Sequence, residues 1–94
     1  MEGAARLKVS GGKMVSVKLR YFDTIESIEI LGDFFLYPES SLAKIEKGLL
    51  GIHIDASQNE IAARIAEILK DNGIELIGAT PEAIAQVIKL AVKK

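Results

Sequence analysis

Two short stretches hold most of the residues whose types and spacing could do chemistry. Gly11-Gly12-Lys13 sets a primary amine beside two residues without side chains. Gly32-Asp33-Phe34-Phe35-Leu36-Tyr37-Pro38-Glu39 sets a carboxylate beside three of the chain's aromatic rings, which number only three Phe and two Tyr. A lysine flanked by bare backbone N–H groups can meet a phosphate or a carboxylate presented by a partner. The plainer alternative is a tight hairpin with an exposed lysine. The stretch is not a Walker A loop, because the spaced upstream glycine and the Ser or Thr after Lys are missing and strands lie on both sides. Asp33 can cap the following turn or pair with a base across an interface.

The rest of the chemical inventory is thin. His53, the single histidine, alternates with Ile52 and Ile54 and precedes Asp55 by two residues, which suits a structural or exposed side chain rather than a relay. Glu26, Glu29 and Glu39 have the spacing of surface acids, not of a glycosidase pair. The chain has no cysteine. Disulfides, thiolate metal sites, iron–sulfur chemistry and cysteine nucleophiles are thereby excluded. A self-sufficient enzyme needs a nucleophile, base or metal placed among partners, and no such set is visible.

These residues must be positioned by the elements around them. Residues 6–10 alternate polar and apolar, with Leu7 and Val9 on one face. From Met14 a longer alternation sets Val15, Val17, Leu19 and Tyr21 against Ser16, Lys18 and Arg20, the period of a half-buried strand. The glycine pair between them predicts a hairpin turn. The chain turns again near Asp23-Thr24, and residues 27–31 supply Ile28 and Ile30 to the inner face, with Ser27 and Glu29 outside. After Gly32 the period becomes helical. Pro38 suits a first helical turn; Leu42, Ile45 and Leu49 follow at helical spacing, and Gly51 is a stop. Ser57 and Glu60 form a capping box ahead of the stripe Ile61, Ile65, Ile68 and Leu69, which ends at Asn72-Gly73. Residues 74–77 can form a short extended segment. Thr80 and Pro81 open a last helix as N-cap and N1, with Ile84, Val87, Ile88 and Ala91 inward and Lys89, Lys93 and Lys94 near its C-terminus. The expected fold class is α+β: a three-stranded antiparallel sheet followed by helices packed on one face, in the order βββααα. Phe34 and Phe35 must point oppositely if the chain stays extended. Either one ring enters the core and the other, with Leu31 or Tyr37, faces a partner, or a residue of the first helix covers both.

Ninety-four residues make one domain, 1–94, with an aliphatic core. The formal charge of −1 hides an asymmetry: residues 1–22 carry five bases and one acid, residues 23–60 two bases and eight acids. Such a balance disfavours a nucleic-acid binder. No apolar run approaches the roughly 20 residues of a membrane span, and no secretion signal is evident, so a cytoplasmic protein is expected.

In order along the chain, Gly11–Leu19, Ile25–Glu39 and Leu42–Gly51 together resemble the C-terminal accessory domain of lipoate–protein ligase, and Ile77–Ile84 is in keeping with it. The family pattern is a Gly-Gly-Lys hairpin, two strands, a Gly-Asp-Phe-Phe junction and a helix ending in Leu-x-Gly. The resemblance implies the separate-chain form of that domain, an accessory subunit that binds no cofactor alone. Its partner would be a large catalytic subunit that uses ATP, Mg and lipoate to make lipoyl-AMP. That complex would then modify a lysine of lipoyl-acceptor proteins, the dehydrogenase E2 lipoyl domain and the glycine-cleavage H protein. It implies that the small subunit serves the adenylation step without supplying a nucleophile. Contacts to the partner or its active site are expected from Gly11, Gly12, Lys13, Gly32, Asp33, Phe34, Phe35 and Tyr37. The family fold is also similar to iron–sulfur scaffold and sulfur-acceptor proteins, whose cysteine chemistry this chain lacks. A protein-binding scaffold of the same fold is the alternative.

Overall fold

The computed structural model describes residues 1–8, 11 and 13–92. Of the residues named above, Val9, Gly12, Lys93 and Lys94 lie outside the described residues.

Strand β2, Met14–Tyr21, is the middle of a three-stranded antiparallel sheet between β1, Glu2–Lys8, and β3, Ile25–Gly32. Its alternation is realised in full: Val15, Val17, Leu19 and Tyr21 are buried, while Lys18 and Arg20 are exposed. β1 begins earlier than the 6–10 segment suggested. Its inward positions are Gly3, Ala5 and Leu7, and small residues there hide the alternation of a strand that helices cover only partly. A bulge between Arg20 and Tyr21 shifts the β2–β3 register, so Arg20 opposes Ser27 while Tyr21 opposes Ile25. Glu26 is the extra residue. Without it Ile25 would face water; with it, Ile25, Ile28 and Ile30 share the inner side.

Three helices form the second layer: α1, Leu42–Gly48; α2, Gln58–Asp71; and α3, Pro81–Ala91. α3 packs across β1 and β2, α1 lies against β3, and α2 packs against both helices. Between the layers Ile30, Ile45, Leu49, Ile65, Ile84 and Ile88 are fully or almost fully buried. α3 comes so near β1 that a Cβ on Gly3 would run into the Ala91 carbonyl, which makes that glycine a requirement of packing. Glu46 of α1 accepts a hydrogen bond from the Ile30 N–H at 2.8 Å and so satisfies part of the free edge of β3.

The fold class is as expected, with two local differences. Pro38 does not open the first helix: it is extended, at φ −64° and ψ 154°, and precedes a 3₁₀ turn over Glu39–Ser41 before α1 begins at Leu42. The proline's fixed φ suits both conformations, and sequence alone does not choose between them. Residues 75–77 are also more than a connector. They form a strand, β5, Glu75–Ile77, that pairs antiparallel with β4, Phe35–Tyr37, in a separate two-stranded ribbon. Strands of three residues are too short to display a period.

The capping box of α2 is formed in both directions: the Ser57 N–H donates to Glu60 Oε1 at 2.8 Å, and the Glu60 N–H donates to Ser57 Oγ at 3.1 Å. The hydrogen bond from the Ser57 backbone, then that from its side chain, holds the Glu60 carboxyl below its ordinary pKa of 4.5. A carboxyl lowered in the folded state stabilises the protein fully above its unfolded pKa and loses that contribution as pH falls through the folded value. Thermal denaturation scanned downward from pH 7 should therefore show a loss of stability setting in below pH 4.5 that Glu60→Gln lacks. Ser57→Ala should cost about 1 kcal/mol at neutral pH. An unchanged pH profile in Glu60→Gln would show that the box is not ionically assisted.

Candidate functional site

The two stretches with chemical potential meet at one end of the sheet. Val15 opposes Gly32 in the β2–β3 ladder, and one residue beyond it Asp33 closes the pairing twice. Its N–H donates to the Met14 carbonyl at 2.9 Å, and its Oδ2 accepts from the Met14 N–H at 3.3 Å. Among the described residues Asp33 thus neither caps the next turn nor pairs with a base. It fixes the root of the hairpin, immediately beside Lys13. The sequence offered no signal for this role, because the partner is a backbone N–H 19 residues away.

Gly32 is required by close approach. A Cβ there would meet the Met14 carbonyl and the Phe34 ring, so the glycine lets β3 end with that ring folded beneath it. Phe34 is half-buried and packs on the core, whereas Phe35 is 67% exposed. The opposed directions of the two rings follow from the extended backbone, and the first helix does not cover both. Phe35 pairs with Ile77 and Tyr37 with Glu75 across the ribbon, while Leu36 and Leu76 turn inward onto the core.

Three open grooves surround this junction. One, of about 580 Å³, is lined by Gly11, Lys13, Gly32, Asp33, Phe34 and Phe35. These are six of the eight residues singled out in the sequence, gathered into one concavity from segments about 20 positions apart. A neighbouring groove of about 530 Å³ shares Gly32, Phe34 and Phe35 and adds Leu31, Tyr37 and Ile77. Tyr37 therefore belongs to the second groove, and Gly12 is outside the described residues. Ile77 has no distinguishing mark in the sequence; only its pairing with Phe35 reveals it. On the far side of the hairpin, Lys13 and Gly11 also border a groove of about 740 Å³ beside the start of α3, with Lys8, Thr80 and Glu82. Lys13 makes no ion pair among the described residues.

His53 lies at the opposite end of β2 and β3, where it forms an antiparallel bridge with Thr24. It is exposed, and its Nδ1 accepts the Asp55 N–H at 3.3 Å. Among the described residues no three or more His, Asp or Glu side chains form a group able to hold a metal ion, and no helix is long and apolar enough to cross a membrane. The site's assets are shape, apolar area and, among the described residues, the cations Lys13 and Lys8 without ion pairs, which suit recognition.

The different burial of the two rings has a measurable consequence. Phe34→Ala should lower stability by about 3 kcal/mol, the lower part of the range for a core aromatic, because the ring is half-buried. Phe35→Ala should change it by less than about 0.5 kcal/mol. Urea denaturation of the two variants measures both, and equal losses would contradict the division.

No protein-family model and no curated protein matches this chain. A solved structure does. The chain is similar to one from an archaeal lipoylation system, a bi-partite lipoate protein ligase and its E2 lipoyl domain from Thermoplasma acidophilum. The two share 28% sequence identity and a TM-score of 0.75, over 94% of this chain and 94% of that one.

Proposed function

We propose that this chain is the accessory subunit of a two-subunit lipoate–protein ligase, required with a catalytic subunit for the ATP-dependent conversion of lipoate to lipoyl-AMP. The carrying observation is the end-to-end likeness to a chain of the bi-partite ligase system. Coverage of 94% on both sides makes the two chains nearly equal in length. A chain of this size with an aliphatic core has little room for a nucleotide site, a lipoate site and an acceptor site together. The quoted sequence resemblance points to the same component, since it includes the residues that line the grooves.

The chemistry divides accordingly. In adenylation the lipoate carboxylate attacks the α-phosphate of ATP and pyrophosphate leaves. In transfer an acceptor lysine attacks the lipoyl carbonyl and AMP leaves. ATP, Mg and lipoate belong to the catalytic subunit in this scheme, and acceptors such as an E2 lipoyl domain or a glycine-cleavage H protein meet the complex. This chain acts by contact. Lys13, fixed beside the Asp33–Met14 pair, supplies a positive charge at the rim of the contact surface. Such a charge helps most where phosphates are present, in the first half-reaction.

The test uses the catalytic subunit of the same organism, purified separately. Pyrophosphate exchange dependent on lipoate should be strong only when both chains are present, and this chain alone should show none. Transfer from preformed lipoyl-AMP to a lipoyl domain should depend on it much less. Lys13→Glu should depress exchange more than transfer. Stable binding without any rate change would favour the scaffold alternative, and covalent lipoylation of this chain itself, seen by mass spectrometry, would make it an acceptor instead.

A further inference from the structure

We infer that the outer face of the β4–β5 ribbon, continued by Leu31, is the surface on which the catalytic subunit docks, and that the matching surface is an apolar patch ringed by basic side chains. This rests on the function proposed above and adds to it the place and the chemistry of the contact.

Among the described residues eight large hydrophobic side chains are exposed, and four of them converge on one groove: Leu31 at 56%, Phe35 at 67%, Tyr37 at 69% and Ile77 at 50%. Met1, Phe22, Leu50 and Leu90 do not line it. Scattered apolar residues need no explanation, but a contiguous cluster marks an interaction surface. The patch is also held in place. Leu36 and Leu76, on the inner face of the same two strands, pack on the core, so its rings are presented by a ribbon with an anchored underside. Little ordering cost remains for binding.

The rim selects the occupant. Glu39 lines the groove, Glu75 projects beside Tyr37 on the outer face, and Asp33 lines the adjoining groove that shares Phe35. Among the described residues that line this groove and the one next to it, Lys13 is the only base. A symmetric pair of this chain through the patch would set acid rim against acid rim, since a two-fold contact brings the same surface to both sides. Like charges across an interface oppose association. A different protein with Lys or Arg around an apolar centre meets no such cost. Docking there leaves Lys13 at the border of the contact, on the groove that shares Gly32, Phe34 and Phe35.

Phe35→Ser, Ile77→Ser and the charge reversal Glu39→Lys/Glu75→Lys are compared with the control Phe22→Ser, whose ring is exposed away from the groove. Circular dichroism first checks that each variant is folded. Titration calorimetry against the separately purified catalytic subunit should then show Kd raised about 30-fold or more by either serine variant, as for a central interface anchor. The charge reversal should raise Kd about 10-fold at low salt and by less at 0.5 M NaCl, because a rim contact is screened. Phe22→Ser should leave Kd within about 3-fold, as expected for a side chain outside the contact. If the wild type binds and activates its partner while the serine variants bind equally well, the surface is wrong and the proposed function stands. If the wild type neither binds nor activates, both fall. A wild-type dimer in sedimentation equilibrium that Phe35→Ser turns into a monomer would give the patch to a second copy and overturn the assignment.

Discussion

The burial of one face of β2 is the constraint from which the rest of the molecule follows. Val15, Val17, Leu19 and Tyr21 are each almost wholly withdrawn from water, and they can be so only if helices lie on that side and no other. The choice of side then fixes where charge goes. Lys18 and Arg20 of β2 must face outward, joined there by Arg6 and Lys8 of β1, and on the same face Glu29 stands opposite Lys18 and Glu2 opposite Arg20. The acidic surface arises from the second half of the sheet and the segments beyond it.

A small sheet with two free edges must also manage them. On one side α3 lies so close over β1 that only a glycine fits at position 3. On the other, a carboxylate from α1 accepts the Ile30 N–H, and the bulge at Glu26 turns Ile25 into the core. The end of the sheet near the hairpin is closed by the reciprocal bonds of Asp33 and Met14. These devices use polar groups at places where hydrophobic burial cannot reach. They also explain why an acid that looks like a surface residue in the sequence has a structural duty.

Long alternations and helix signals made most of the architecture legible. The face of β2, the capping box at Ser57, the stop at Asn72 and the Thr80-Pro81 start all came from rules of local geometry, and each is present. What stayed hidden depends on distant partners or on very short segments. β5 pairs with a strand some 40 positions earlier, and nothing within its three residues announces that. Asp33 finds its acceptor and donor on Met14, and Glu46 finds an N–H on a strand edge; neither spacing has a local signature. For the same reason Phe35 was legible as a ring opposed to Phe34, while Ile77 beside it was not. In the sequence, Lys13, Asp33 and the two phenylalanines were grouped only through the resemblance; the hairpin root shows how they come to share one groove.

The pairing of Phe35 with Ile77 spans α1 and α2, so the ribbon closes a loop of about 40 residues, and such closure carries an entropic cost that local contacts do not share. The exposed rings are therefore gathered into a patch only after α2 has been laid down and the chain has returned. A partly folded chain holds the same residues but not the same surface. A partner that recognises the patch consequently samples the completed tertiary structure, and by mass action its binding withdraws molecules from the unfolded pool. Folding of the chain and binding of such a partner are then linked in one equilibrium.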